Sequence, residues 1–166
     1  MNTEILPGGY RLAWATLSGE SGHNAGRRLL AELYRQTVGK SMPPICVTEQ
    51  GKPYFESGSD HFSISHTKNH VFCCLGPNNL GIDGEEADRR ISPRLAESYL
   101  SQGERTKWEA LGGRQEDLLR LWVLKEAYAK LTGRGIGNYL KETDFDPRDT
   151  RIRRIDGCLL AIITEK

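Results

Sequence analysis

The sequence has no apolar run of membrane-spanning length. Its start, MNTEILPGGYRLAWATL, lacks the basic segment followed by an apolar one that marks a secretory leader. Neither charge is in excess: 23 Lys and Arg stand against 22 Asp and Glu, a formal net charge of +1, so no broad basic field argues for nucleic acid. Cysteine is scarce. The spacing of Cys46, Cys73, Cys74 and Cys158 matches no zinc pattern, and the adjacent pair in VFCCLG reads as small buried strand residues. There is no P-loop, no low-complexity linker and no repeat. These absences lead us to expect a reduced, cytoplasmic protein with neither membrane nor nucleic acid as a partner. The 166 residues suffice for one compact unit or two small, closely packed halves, and 37% hydrophobic against 27% charged residues is ordinary for a globular domain.

The hydrophobic spacing alternates between strand and helix periods. Tyr10–Leu17 alternates as a first strand, and a helix is expected from about Ala25 to Val38 on the stripe Leu29, Leu30, Leu33, Tyr34 and Val38. A short apolar piece at Ile45–Val47 precedes a turn at Gly51-Lys52-Pro53 that presents a lysine. His61–His66, Val71–Leu75 and Leu80–Glu85 read as three strands joined by short turns, an antiparallel meander and not βαβ winding. Ser92-Pro93 and the capping box Ser101-x-x-Glu104 start two short helices, and a long one follows over about Gln115–Leu131. Weaker strands are expected at Thr143–Phe145 and Arg151–Ile155, and a clearer one at Cys158–Thr164. The fold class is therefore α+β. Each half holds helical material plus about three antiparallel strands, which suits two similar lobes around a cleft.

Charges in unusual places mark the candidate site. Asp83 and Glu85 are two apart on a strand, so both carboxylates share one face. Like charges held that close repel unless a cation bridges them or one takes up a proton, and hard oxygen ligands in this number suit Mg²⁺. By itself such a pair is also common on surface strands. Trp122, Glu126 and Lys130 follow at four-residue spacing on the long helix, while Lys125 interrupts an otherwise apolar run. Glu126 and Lys130 are an ordinary i,i+4 pair, or a third carboxylate and a phosphate contact if the helix packs across the strand. Arg27 and Arg28 stand in the first turn of their expected helix, where the dipole disfavours cations. Either an anion sits there or both side chains reach out to solvent. The glycines at 133, 135 and 137 are a C-cap or a close approach for substrate. Carboxylates for a metal, lysines for phosphates and His66 at a strand end together suggest phosphoryl-type transfer.

Three segments, GKPYF…FSISHTKNHV, GIDGEE and WVLKEAYAKLTGRG, occur in an order and with gaps that resemble the 4′-phosphopantetheinyl transferase family, and specifically its larger, single-chain type related to the surfactin-synthetase-activating enzymes. The resemblance runs from about Arg27 to Gly135. It implies a monomer of two lobes, about 1–80 and about 81–166, each with a three-stranded antiparallel sheet and related by a pseudo-twofold, with the active-site cleft between them. It implies transfer of the phosphopantetheine arm of coenzyme A to a serine of an apo acyl or peptidyl carrier protein, with release of adenosine 3′,5′-bisphosphate. In that reading Asp83, Glu85 and Glu126 hold Mg²⁺, and Glu126 takes the serine proton. Lys125 and Lys130 contact phosphates, with Lys130 offsetting charge on the leaving group. Ser65, His66, Arg27 and Lys52 hold the nucleotide's 3′-phosphate, and Trp122 packs the helix.

The sequence departs from the family pattern at two positions. Thr67 stands in place of a second serine, and Gly84 stands between the carboxylates where an aliphatic residue is usual, loosening the strand by about 0.5–1 kcal/mol. The alternatives to this transferase reading are a catalytically idle coenzyme A-binding module, another Mg²⁺-dependent phosphotransferase, and a plain structural domain.

Overall fold

A computed structural model describes residues 1–165, with the side chain of residue 138 set aside. The first sheet takes β1 (Asn2–Ile5), β2 (Arg11–Thr16), β5 (His61–His66) and β6 (His70–Gly76), in the order β1-β2-β6-β5 and antiparallel throughout. β3 (Ile45–Val47) and β4 (Pro53–Phe55) form a separate hairpin over the Gly51-Lys52 turn. The second sheet is β7 (Leu80–Glu86), β9 (Cys158–Thr164) and β8 (Ile152–Ile155), in the order β7-β9-β8. Four helices complete the chain: α1 (Gly22–Val38), α2 (Pro93–Tyr99), α3 (Gln102–Ala110) and α4 (Gln115–Thr132). The α+β class with antiparallel sheets is as expected. Among the described residues no helix is long and apolar enough to cross a membrane.

Strand alternation sorts side chains into three cores and so stacks the layers. On one face of the first sheet Ala13, Val71, Cys73 and Leu75 pack under α1 through Leu29, Leu30 and Leu33. On the other face Leu12, Phe72 and Cys74 meet Leu80, Ile82 and Leu160 of the second sheet. The adjacent cysteines are thus both buried, one in each core. The far face of the second sheet, with Leu159, Ala161 and Ile163, is covered by α4 through Leu124, Ala127 and Leu131.

Several expected elements are corrected. The first sheet has four strands, not three, because the N-terminal residues add β1. The third strand of the expected meander leaves that sheet: β6 already has β2 and β5 on its two edges, so β7 pairs with β9 instead. No strand forms at Thr143–Phe145. α1 begins three residues early on a Ser21 cap, which moves Arg27 into its second turn. Gly84 sits in a close fit: a Cβ there would lie 3.1 Å from the Phe72 ring and 3.2 Å from Leu160, so a larger residue would need those side chains to shift by a few tenths of an ångström.

The decisive contact is between β7 and α4. A Cβ on Gly81 would lie 2.0 Å from the Ala127 carbonyl oxygen and 2.4 Å from the Leu131 amide, so only glycine lets the helix backbone settle on the strand. That approach aligns Asp83 and Glu85 with Lys130, Glu126 and Trp122. Gly81→Ala is therefore expected to cost at least about 1–3 kcal/mol in urea unfolding. A variant as stable as the parent would contradict this packing.

Candidate active site

The two sheets meet edge to edge through serine hydroxyls. The free edge of β7 presents the amides of Ile82 and Gly84, which donate to the Ser63 and Ser65 hydroxyls of β5 at 3.0 and 3.1 Å. Buried strand-edge amides need such partners. The Ser65 hydroxyl in turn donates to Asp83 Oδ1 at 2.9 Å, and Lys130 Nζ reaches the same oxygen at 2.8 Å. Asp83 is only 6% exposed, and its second oxygen, Oδ2, is buried with no hydrogen-bond partner.

Around this junction opens a cleft of about 590 Å³, lined among others by Arg27, Ser65, His66, Asp83, Glu126 and Lys130. The structure thus brings together seven of the nine predicted residues, Glu85 among them. Burial and the nearby Asp83 charge push the Glu126 carboxyl up to about 7, against a smaller pull from Lys130. Gly22 leaves room for the His66 ring, since a Cβ there would sit 2.3 Å from the imidazole. Arg27 Nη1 is buried without a partner, whereas Arg28 is exposed and pairs with Glu20. The two alternatives for the arginines therefore divide between them: Arg27 faces inward and Arg28 reaches solvent.

Three predicted residues are placed differently. Glu85 lines the cleft, but its carboxylate is taken by Arg89, with Trp122 Nε1 3.4 Å away, and among the described residues the ligand atoms of Asp83, Glu85 and Glu126 do not all lie within 4.8 Å of one another. Lys52 adjoins the cleft in a neighbouring pocket of about 290 Å³, but its amine donates to the Leu131 carbonyl at 2.6 Å and to Asn79. Lys125 is absent from the cleft. Its side chain is fully buried, 2.9 Å from Glu104 Oε2, and donates to the Leu140 and Thr143 carbonyls, so all three ammonium protons are used. A fully paired buried ammonium is a structural tie, not a phosphate contact. Trp122 packs edge-to-face on Tyr99 at 5.1 Å, as its packing role requires.

Sequence reasoning missed His23, Val47 and Arg89. His23 lines the cleft, and its signal was available: it stands four residues before Arg27, on the same helical face. Arg89 has the same relation to Glu85, but across a strand end where no helix rule applied.

The donor set fits a hard divalent cation. Asp83 offers a buried, unpartnered carboxylate oxygen, and Glu126 resists ionising beside it. Both conditions are relieved by a bound cation, and all-oxygen donors suit Mg²⁺. The same cleft is lined by Arg27, whose Nη1 is buried without a partner, and by the His66 imidazole, groups that bind phosphate.

A cleft that combines carboxylates with arginine, lysine and histidine is the kind of site that suits a phosphorylated ligand and a metal ion. Residues 79–162 match the 4′-phosphopantetheinyl transferase superfamily profile, and the chain belongs to that superfamily. It is 32% identical over 126 residues to 4′-phosphopantetheinyl transferase Sfp of Bacillus subtilis (strain 168), covering 68% of this chain and 54% of that protein. With 4′-phosphopantetheinyl transferase gsp of Aneurinibacillus migulanus it shares 32% identity over 91 residues, 53% of this chain and 37% of the relative. L-aminoadipate-semialdehyde dehydrogenase-phosphopantetheinyl transferase of Xenopus laevis is 26% identical over 115 residues, 60% and 38% of the two chains. The aligned part therefore spans between 37% and 54% of these relatives' length.

The Glu126 shift has a signed consequence. Its native value, raised to about 7 from an ordinary 4.5, means that the stability it contributes is fully present below 4.5 and lost as pH rises through 7. In metal-free protein Glu126→Gln should raise the melting temperature at pH 8 by roughly 2–6 °C. At pH 4.5 it should change little. Equal effects at both pH values in calorimetric scans would contradict the shift.

Proposed function

We propose that this chain transfers the phosphopantetheine arm of coenzyme A to a serine hydroxyl of an apo acyl or peptidyl carrier protein, releasing adenosine 3′,5′-bisphosphate, with Mg²⁺ as cofactor. The observation that carries the reading is the pair of buried, unpartnered groups on residues of one cleft: Asp83 Oδ2, which calls for a cation, and Arg27 Nη1, which calls for an anion. Superfamily membership and the names of the relatives support the same chemistry.

In this reading Arg27 and His66 hold the 3′-phosphate of coenzyme A, with Ser65 fixing the strand end. Lys52 keeps the turn closed against α4 and flanks the ligand instead of gripping it, as its bonds to Asn79 and Leu131 suggest. Asp83 and Glu126 hold Mg²⁺, and Glu85 completes the set directly or through water. Bound Mg²⁺ supplies charge neutralisation for the pyrophosphate. Glu126 takes the proton of the carrier serine as the serine oxygen bonds to the β-phosphorus, a role open to a carboxylate in the same cleft as Asp83 and Lys130. The bond from that phosphorus to the bridging oxygen breaks, and Lys130 offsets the charge developing on the departing bisphosphate.

We further read the chain as a monomer of two pseudo-twofold-related lobes, about 1–80 and 81–166, acting in the cytoplasm. In support, each sheet carries one long helix on its outer face, the edges of β5 and β7 abut, and the four cysteines are free.

The test is to incubate the protein with coenzyme A, Mg²⁺ and apo carrier proteins of fatty-acid and peptide-synthetase types, and to look by mass spectrometry for the arm on the carrier serine. Transfer is expected, and Asp83→Ala should slow it by two orders of magnitude or more while remaining folded. Absence of transfer to every carrier would overturn the proposal, and retained coenzyme A binding would then mark an idle binding module.

A further inference from the structure

Away from the cleft, three side chains that bind metals meet at the ends of three strands. His70 opens β6, Glu86 closes β7 and Cys158 opens β9. Alternation along β7 turns Glu86 to the face opposite Asp83 and Glu85, so this cluster lies across the strand from the cleft, at the rim of the core between the sheets.

The ligand atoms gather closely, one from each residue within 4.8 Å of the others. His70 Nδ1 lies 3.2 Å from Glu86 Oε1 and 3.3 Å from Cys158 Sγ, and Sγ lies 3.5 Å from Glu86 Oε2. Tetrahedral bonds of about 2.0–2.3 Å to nitrogen, oxygen and sulfur set edges of about 3.3–3.7 Å between ligands. The nitrogen–sulfur separation matches such an edge to within about 0.3 Å; the two carboxylate separations are made by different oxygens of Glu86, and with one ligand atom taken from each residue the three lie within 4.8 Å of one another. A nucleophilic relay would need the thiol and the carboxylate on opposite ring nitrogens, whereas both approach Nδ1 here. Burial and the Glu86 charge also hold the Cys158 thiol up at about 12, so it is no free thiolate.

The surroundings are those of a built site. The Thr67 hydroxyl donates to Glu86 Oε1 at 2.6 Å and the Asn69 amide donates to the same oxygen at 3.2 Å, fixing the carboxylate with Oε2 toward the thiol. Cys158 is wholly buried, while the side chains of His70 and Glu86 keep 14% and 22% of their surface, leaving one side open for a fourth ligand.

We propose that His70, Glu86 and Cys158 form a binding site for a borderline-soft, tetrahedral divalent cation of the zinc type, with water in the fourth position. Binding sends the thiol proton to solvent and leaves the imidazole proton on Nε2, with no change of oxidation state. The sulfur ligand discriminates against Mg²⁺. Because β6 belongs to one sheet and β7 and β9 to the other, the ion staples the two sheets together independently of the chemistry in the cleft.

Co²⁺ reports on this site directly. Chelator-treated protein titrated with Co²⁺ should develop one equivalent of a thiolate-to-cobalt charge-transfer band with the visible bands of tetrahedral cobalt. Zn²⁺ should displace them and excess Mg²⁺ should not. Cys158→Ser should abolish the charge-transfer band, and His70→Asn should weaken binding at least tenfold. Asp83→Ala, on the other side of β7, should leave the spectrum intact. Zn²⁺ should raise the melting temperature of the parent and of Asp83→Ala, but not of Cys158→Ser or His70→Asn. Absence of the band at millimolar Co²⁺, its persistence in Cys158→Ser, or displacement by Mg²⁺ would overturn the proposal.

Discussion

Two serine hydroxyls hold this molecule in the shape its site requires. Ser63 and Ser65 satisfy the amides that the edge of β7 would otherwise bury unpaired, and so join two sheets that share no strand ladder. The Ser65 hydroxyl in turn donates a hydrogen bond to Asp83, tying the seam to the carboxylate that Lys130 grips from α4. Sheet, sheet and helix meet at one side chain.

The cleft that results is electrostatically unfinished by itself. Asp83 and Glu126 share a poorly solvated space with one ammonium, and Glu126 answers by holding its proton to about 7. The positive wall has the complementary defect in the unpartnered Arg27. A cleft that leaves one oxygen of Asp83 and one nitrogen of Arg27 buried without partners suits the proposed ligand, which carries both a cation and phosphates. By contrast, the Lys125–Glu104 pair is finished: every proton and every carboxylate oxygen has a partner, and it ties α4 to α3 and to the segment after α4.

Much of this was legible in the sequence because two rules of spacing apply locally. Alternation put Asp83 and Glu85 on one face and Ser65 at a strand end, and i,i+4 spacing put Glu126 beside Lys130. What failed was direction. Lys125 is adjacent to Glu126 and equally charged, but one step around a helix turns it about 100° into the core, and its partner Glu104 is known from sequence only as a capping residue. The position of β7 failed for a topological reason, since nothing in LGIDGE says that both edges of β6 are taken. His70 and Cys158 stand 88 residues apart, so only the folded sheets bring them together and no spacing pattern could reveal them.

The central claim is that Arg27 and His66, across the seam from Asp83, read the 3′-phosphate of coenzyme A. Calorimetric titration with coenzyme A and with its 3′-dephospho form, in the presence of Mg²⁺, measures that contact alone. The account predicts at least about tenfold tighter binding of coenzyme A, as a buried charge-assisted contact requires, and loss of that preference in Arg27→Ala. Equal affinities in the parent protein, or a preference that survives Arg27→Ala, would contradict it.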